Sequence, residues 1–484
     1  MFPETSPLLI DGELTVGKAA FETLNPATEE VLGTATDATA DDMDRAIGAA
    51  RRAFDETGWA TDLALRVRGL RQLGEALKNH REELRELTIK EVGAPRFLTH
   101  GAQLDAPADD VTWYADLAES YEWERDLGRA EPMGMPSGRT IRREATGVVG
   151  AITPWNFPNQ INLAKLSPAL AAGNTVVLKP APDTPWVAAA LAKLIAEETD
   201  IPAGVVNVIT GRDHALGAQL TTDPRVDLVS FTGSTATGRQ VMAGAAQTVK
   251  RTFLELGGKS AFLVLDDADL AGACSMAAFT ASMHAGQGCA ITTRLLVPRA
   301  RYDEAVEAAA ATMGGLKPGD PNKSGTICGP VISARQRDRI QEYLDSAIAE
   351  GGRFACGGGR PADRDAGFFI EPTVIAGLDN NAKVAREEIF GPVLTVIAHD
   401  GDDDAVRIAN DSPFGLSGTV FSPDLDRANA VAARMRVGTV NINGGVWYSA
   451  DMPFGGYKQS GIGREMGLAG FEEYLEIKAI ATAN

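Results

Sequence analysis

From Gly147 onward the chain alternates short Val- and Ile-rich runs with longer helical stretches, and few folds accept that rhythm. The apolar runs are VVGAIT, NTVVLK, GVVNVIT and VDLVSF, with TPWVAAALAKLIAEETD and HALGAQLTTD between them. Strands alternating with helices imply βαβ units and a mostly parallel sheet. Strands covered on both faces read as continuous apolar runs, as these do. A doubly wound nucleotide-binding fold is therefore the leading expectation.

A second α/β stretch follows residue 260. SAFLVLDD, FFIEPTVI, GPVLTVIAHD and GTVFS are its expected strands; RARYDEAVEAAAATM, SARQRDRIQEYLDSAIAE and DLDRANAVAARM are its expected helices. Before Gly147, apolar positions recurring at three and four predict helices over 40–56 and 62–91. Residues 119–143 carry several charges with Gly and Pro and suit an arm or bridging hairpin. At 484 residues the chain is too long for one core.

Charge narrows the partners. There are 46 basic and 65 acidic residues, a net charge of −19, which repels nucleic acid phosphates and anionic lipid heads. Neither is an expected partner. The four cysteines, Cys274, Cys289, Cys328 and Cys356, form no CxxC pair, so no metal site is expected. They are too few for a disulfide framework, and a reducing cytoplasm is the simpler home. MFPETSPLLIDGEL lacks the charged and apolar regions of a signal peptide.

Four features could carry chemistry. FTGSTATGR follows the VDLVSF run and opens a helix: Gly233 permits a tight turn, and Ser234 can cap helix amides that attract phosphate. Cys289, in HAGQGCAITTR, has glycines flanking Gln287 and could be a nucleophile. Glu255, in RTFLELGGKS, ends an apolar run; a carboxylate in an apolar setting suits general-base work. Asn156, in TPWNFPNQ, could donate to an oxyanion. Singly, each also reads as a capped helix, a buried thiol, a turn carboxylate or an Asx-turn. Together they place a thiol, a base, an amide donor and a nucleotide turn at strand ends, where open α/β sheets bind ligands.

PWNFP, the Lys179 strand end, FTGST, LELGGKS, GQGC, EEIFGP and PFGGYKQSGIGRE run in the order found in the aldehyde dehydrogenase superfamily. The chain resembles that family along nearly its whole length. The resemblance implies oxidation of an aldehyde to an acid, with NAD as cofactor and NADP possible. It implies a thioester on Cys289, water activated by Glu255, and an oxyanion held by Asn156 with the Cys289 amide. Lys165 and Glu465 match a proton relay. Ile152, Thr153, Pro154, Trp155, Lys179, Pro182, Gly211, Gly233, Ser234, Leu256, Glu388 and Phe390 fall at cofactor positions. Phe157, Ile161, Ala164, Ile291, Trp447, Tyr448 and Phe454 are candidate substrate-tunnel residues, with Asn159, Gln160 and Asn162 adding polarity at its mouth. An acylating enzyme that uses coenzyme A, or a thiol esterase without redox chemistry, are the alternatives.

The implied fold is α/β: a Rossmann-type nucleotide-binding domain (1–118 and 144–254), a catalytic α/β domain (255–454) and an oligomerisation arm (119–143 and 470–484). GFEEYLEIKAIATA reads as an edge strand, and an exposed edge invites pairing. The resemblance implies that it joins a neighbouring subunit beside the arm, in a homodimer or homotetramer. The sequence departs from the family in two informative places: Gly288 stands where a larger residue is usual, and Pro182 where many NAD-specific members carry Glu.

Overall fold

The computed structural model describes residues 5–483. Its first sheet carries five parallel strands in the spatial order Arg251–Glu255, Leu228–Thr232, Val148–Ile152, Thr175–Lys179, Val206–Val208. The four apolar runs that define the sequence rhythm are four of these strands. The chain starts in the middle at Val148–Ile152, adds two strands on one side, then crosses back to add two on the other. The loops after Val148–Ile152 and Leu228–Thr232 therefore diverge at a switch point. In such sheets that gap is the ligand crevice.

Helices Pro158–Ala172, Pro185–Glu198, Ala215–Thr222 and Thr235–Ala245 provide the crossovers. The first carries almost no solvent face: all but one of its residues are buried, and Pro168 lies inside it. It lacks the apolar period that marks a surface helix, which is why the sequence pattern does not announce it. The stretch 62–91 is two helices, Leu63–Asn79 and Arg81–Val92, broken at His80. Helix Ala40–Glu56 matches its sequence bounds and opens on a capping box between Thr39 and Asp42.

The second sheet has seven strands, ordered Arg353–Cys356, Thr373–Ala376, Val393–His399, Thr292–Pro298, Ser260–Val264, Ser417–Phe421, Thr439–Ile442. Of FFIEPTVI only Thr373–Ala376 pairs; Phe368–Ile370 is buried without joining the sheet. The expected helices are Tyr302–Gly315, Ala334–Ala349 and Leu425–Ala432. After this sheet the chain returns to the first: Gly461–Ile462 pairs with Leu254 and Glu255, and Phe471, Tyr474 and Leu475 join the first core. That return brings Glu465 to the back of the Glu255 strand.

Residues 124–145 form a hairpin, Glu124–Ala130 with Ser137–Ala145. The C-terminal strand Leu475–Ala483 pairs antiparallel with this hairpin of its own chain over nine residues. It thus lies beside the arm, as expected, and its other edge is unpaired among the described residues. No helix is long and apolar enough to cross a membrane, among the described residues.

Candidate active site

A cleft of about 950 Å³ opens at the switch point. Ile152, Thr153, Pro154 and Trp155 line one lip, Lys179 and Pro182 the floor, and Gly233 and Ser234 the far lip. Ser234 caps helix Thr235–Ala245, its Oγ accepting from the Thr237 amide at 3.2 Å. Ser234 and Thr237 of this helix start line the cleft, and free amides at a helix start favour phosphate. A Cβ at Gly233 would lie 2.5 Å from the Phe231 ring, so a side chain there would force the turn open. Lys179 is buried, which pushes its ammonium down, with Asp213 and Asp37 opposing. Its Nζ reaches the Gly211 carbonyl at 3.4 Å.

The cleft narrows into a second cavity of about 200 Å³, sharing Pro154, Trp155, Thr232, Gly233 and Ser234 with the first. Its walls hold Asn156, Ile161, Glu255, Leu256, Cys289, Glu388 and Phe390. The thiol, carboxylate and amide from three distant segments thus converge at the deep end of the nucleotide cleft.

Cys289 is half-buried, and all four cysteines are free. Burial, then the carboxylates of Glu255, Glu388 and Glu465, push its thiol up out of the usual range. Burial, with smaller contributions from Glu304 and Asp269 at Cys274, pushes Cys274 and Cys328 up to about 12, and both lie outside this cavity. Asn156 is buried; its Nδ2 donates to the Gln287 carbonyl at 2.9 Å, leaving one N–H for another acceptor. An Asx-turn is not what holds it.

Glu255 is buried with neither carboxylate oxygen hydrogen-bonded among the described residues. Burial and the nearby Glu465 carboxylate raise its pKa well above the ordinary value, against Lys165 and Arg464. Behind it, Lys165 Nζ sits 3.0 Å from Glu465 Oε1, 3.0 Å from Ser230 Oγ, and 4.8 Å from the Phe253 ring centroid. Each face of a fully buried ammonium is thereby met by a carboxylate, a hydroxyl or an aromatic ring.

Glu388 Oε1 accepts from the Gly258 amide at 2.9 Å, and burial pushes its carboxyl up to about 7, against that amide, Lys259 and Arg339. A Cβ at Gly257 would lie 2.3 Å from Glu388 Oε2, so glycine is what allows the approach. Phe390 takes φ +60°, costly for a bulky residue. Trp155 packs edge-on at 5.4 Å, and Gln336 Nε2 donates to the Phe390 carbonyl at 2.9 Å.

On the other side of the thiol, Trp447 and Tyr448 pack with Leu416, Phe454, Met466 and Cys289. Trp447 stacks on Phe454 at 4.7 Å. Ile291 fills the space beside Gly288, its Cδ1 lying 2.8 Å from where a Cβ would be. Asn159 and Asn162 do not add polarity at this mouth. Asn159 donates to Thr88 and Gln103, and Asn162 accepts from Thr153; both are buried in the helix core. Gln160 and Ala164 line a small cavity with Tyr448 and Met466.

The sequence pattern misses several residues of the site. Arg212, His214 and Arg335 line the cleft near Pro182. Arg212 is held by Asp37 at 2.9 Å, whereas Arg335 forms no ion pair among the described residues. Gln336 and Arg339, which donate to the backbone of Phe390 and Glu388, share a helix with Arg335. Ser333 before this helix marks its start in the sequence, but its placement over the cleft follows only from the fold.

An α/β protein with two large, mostly parallel sheets and a nucleotide crevice ending on a half-buried thiol, an amide donor and an unpaired carboxylate belongs to the thiol-dependent dehydrogenase class. The comparisons specify it: the model of the aldehyde dehydrogenase family matches residues 15–480, and the chain belongs to that family. It is 43% identical over 478 residues to a 3-succinoylsemialdehyde-pyridine dehydrogenase of a Pseudomonas species, covering 97% of both chains. It is 42% identical to the geranial dehydrogenase of Castellaniella defragrans, covering 94% of both. The solved betaine aldehyde dehydrogenase of Staphylococcus aureus in complex with NAD+ superposes with a TM-score of 0.95 at 38% identity, covering 99% of this chain and 95% of that one. Aldehyde dehydrogenase C of Pseudomonas syringae, as a Cys-to-Ala variant with NAD+ and octanal, superposes with a TM-score of 0.93 at 40% identity, covering 99% and 97%.

Proposed function

We propose that this enzyme oxidises an aldehyde to a carboxylic acid with NAD+, through a thioester on Cys289. The observation that carries the proposal is the cavity in which Cys289, Asn156 and Glu255 meet at the end of the nucleotide cleft. The NAD+ complexes of relatives at 38–40% identity support the cofactor.

The residues divide the work. Cys289, once its proton has passed to water or to the unpaired Glu255 carboxylate, attacks the aldehyde carbonyl as the thiolate. The free N–H of Asn156 and the Cys289 amide hold the resulting oxyanion, each donor being worth on the order of 3 kcal/mol. The nicotinamide, when bound, supplies the hydride acceptor that turns the hemithioacetal into a thioester. Glu255 then takes a proton from water, which releases the acid. Its unpaired oxygens and raised pKa suit a base that must gain and shed a proton. Glu465 and Lys165, paired behind Glu255, would carry that proton on from Glu255 to solvent by way of water, which resets the base. Lys179 would hold the adenosine ribose of the bound cofactor, Ser234 and the helix start behind it the pyrophosphate, and Glu388 the nicotinamide ribose, with Trp155 and Phe390 beside the ring. Ile152, Thr153, Pro154, Pro182, Gly211, Gly233 and Leu256 complete the cofactor wall. Phe157, Ile161, Trp447, Tyr448 and Phe454 form an aromatic and aliphatic aldehyde tunnel, suited to a medium-sized, partly apolar aldehyde.

In this reading residues 1–118 and 144–254 bind the nucleotide, 255–454 carry the thiol, and 119–143 with 470–484 assemble a cytoplasmic homodimer or homotetramer. The test is Cys289→Ala in an aldehyde panel with NAD+ and NADP+ in parallel. NAD(P)H formation should vanish with melting unchanged, and retained turnover would refute the role of Cys289.

A further inference from the structure

Three consecutive residues before Cys289 hold left-handed backbone: His284 (φ 50°), Ala285 (φ 52°) and Gly286 (φ 70°). Gly286 tolerates this, and must be glycine, since a Cβ would lie 2.0 Å from the Gly391 carbonyl oxygen. The other two carry side chains, and such conformations persist only where the surroundings over-determine them.

What fixes this turn is a closed circuit of hydrogen bonds. His284 Nε2 lies 2.9 Å from the Asn156 carbonyl oxygen, which also accepts from Gln103 Nε2 at 2.8 Å from outside the circuit. A carbonyl can only accept, so Nε2 carries the proton. Asn156 Nδ2 donates to the Gln287 carbonyl at 2.9 Å. The Gln287 amide donates back to the His284 carbonyl at 3.1 Å, and its side-chain Nε2 reaches the same oxygen at 3.0 Å. The Gln287 side chain is anchored beyond the circuit by the Pro330 carbonyl at 3.2 Å and the Ile332 amide at 2.9 Å. His284 is 1% exposed, with its ring edge-on to Phe157 at 5.3 Å.

We infer that His284 is a positioning residue for this reaction: its imidazole N–H closes the circuit that keeps the nucleophile loop and the oxyanion donor in one register. The inference rests on the roles proposed above for Cys289 and Asn156. The circuit contains the peptide two residues before the thiol and the side chain that faces the oxyanion. Displacing one therefore displaces the other. Imidazole is well chosen for the task. Its plane is rigid, so the donor has a fixed reach, and burial pushes its pKa down to about 4. It therefore donates without placing a charge beside the thiol. Its Nδ1 has no hydrogen-bond partner among the described residues, so no acceptor awaits a second proton.

The test compares His284→Phe with His284→Gln in the full-length enzyme. Phenylalanine keeps an aromatic ring against Phe157 and loses the donor; glutamine restores an N–H at similar reach. A misplacement of about 1 Å at a reacting group costs up to about a hundredfold in rate. His284→Phe should lower kcat by roughly ten- to a hundredfold and slow iodoacetamide alkylation of Cys289 by a similar factor. KM for NAD+ should stay within about twofold, because His284, Gln287 and Asn156 do not line the larger cleft that takes the nucleotide, and His284→Gln should recover most of the loss. Unchanged kcat in His284→Phe overturns the inference. So does a parallel collapse of NAD+ affinity, or a glutamine variant as impaired as phenylalanine. If Cys289→Ala abolishes turnover while His284→Phe does not, the proposed function stands and only this inference falls.

Discussion

Replacing Lys165 by methionine tests the interior behind the active site. The side chains of Lys165 and Glu465 are 0% and 4% exposed, and their charged atoms are 3.0 Å apart. At an effective dielectric of about 20 their attraction is about 5.5 kcal/mol, and desolvation of both ions returns part of it. Lys165→Met keeps the length and apolar stem but leaves the Glu465 carboxylate buried with no cation beside it. Breaking such a pair from one side costs about 3–5 kcal/mol. Ser230 and the Phe253 ring lose the ammonium at the same time. Urea unfolding followed by tryptophan fluorescence reads the loss. The second arm is a double-mutant cycle with Glu465→Leu. Removing both charges should cost less than the sum of the single changes by roughly 1–3 kcal/mol. The activity readout is separate: the first NADH per site should survive in Lys165→Met while steady turnover falls, because the pair serves deacylation. A cost under about 1 kcal/mol, or strict additivity in the cycle, would refute the reasoning.

Two further predictions concern the cofactor and the assembly. Pro182 offers neither an acceptor for a ribose hydroxyl nor a charge against a 2′-phosphate, while Arg335 and Lys179 reach the same cleft; kcat/KM should favour NAD+ with NADP+ measurable, and Arg335→Ala should lower the NADP+ value about tenfold with NAD+ nearly unchanged. NADP+ use unaffected by Arg335→Ala would remove that residue from the ribose. The outer edge of Leu475–Ala483 is unpaired among the described residues; light scattering should give a dimer or tetramer, and deleting residues 476–484 should release smaller species, whereas a concentration-independent monomer of the parent would refute the assembly.

The rhythm of apolar runs from Val148 to Thr232 made the first sheet legible, because strands buried on both faces leave an unbroken record in the sequence. The helix Pro158–Ala172 left no such record: buried all round, it has no polar face to set a period. Cys289, Asn156 and Glu255 were legible as residue types at strand ends, but singly each fits an ordinary structural reading. Only the order of seven segments joined them. Asn159 and Asn162 misled because an amide in sequence does not disclose whether its partner is solvent or the Thr88 hydroxyl, 71 residues away from Asn159. Arg335 was invisible for a related reason. Its helix belongs to the second sheet, and only the packing of the two sheets hangs it over the crevice of the first.

The central claim is a thioester on Cys289 that Glu255 clears, and the most direct measurement isolates it. Glu255→Gln keeps the shape of a side chain whose oxygens have no partner among the described residues, and removes the base. Mixed rapidly with aldehyde and NAD+, it should release one NADH per site in a burst and then turn over slowly. Intact-protein mass spectrometry of the quenched enzyme should show one acyl group, mapped by digestion to the peptide containing Cys289. Parental steady turnover without an acyl adduct, or an adduct on another residue, would contradict the account.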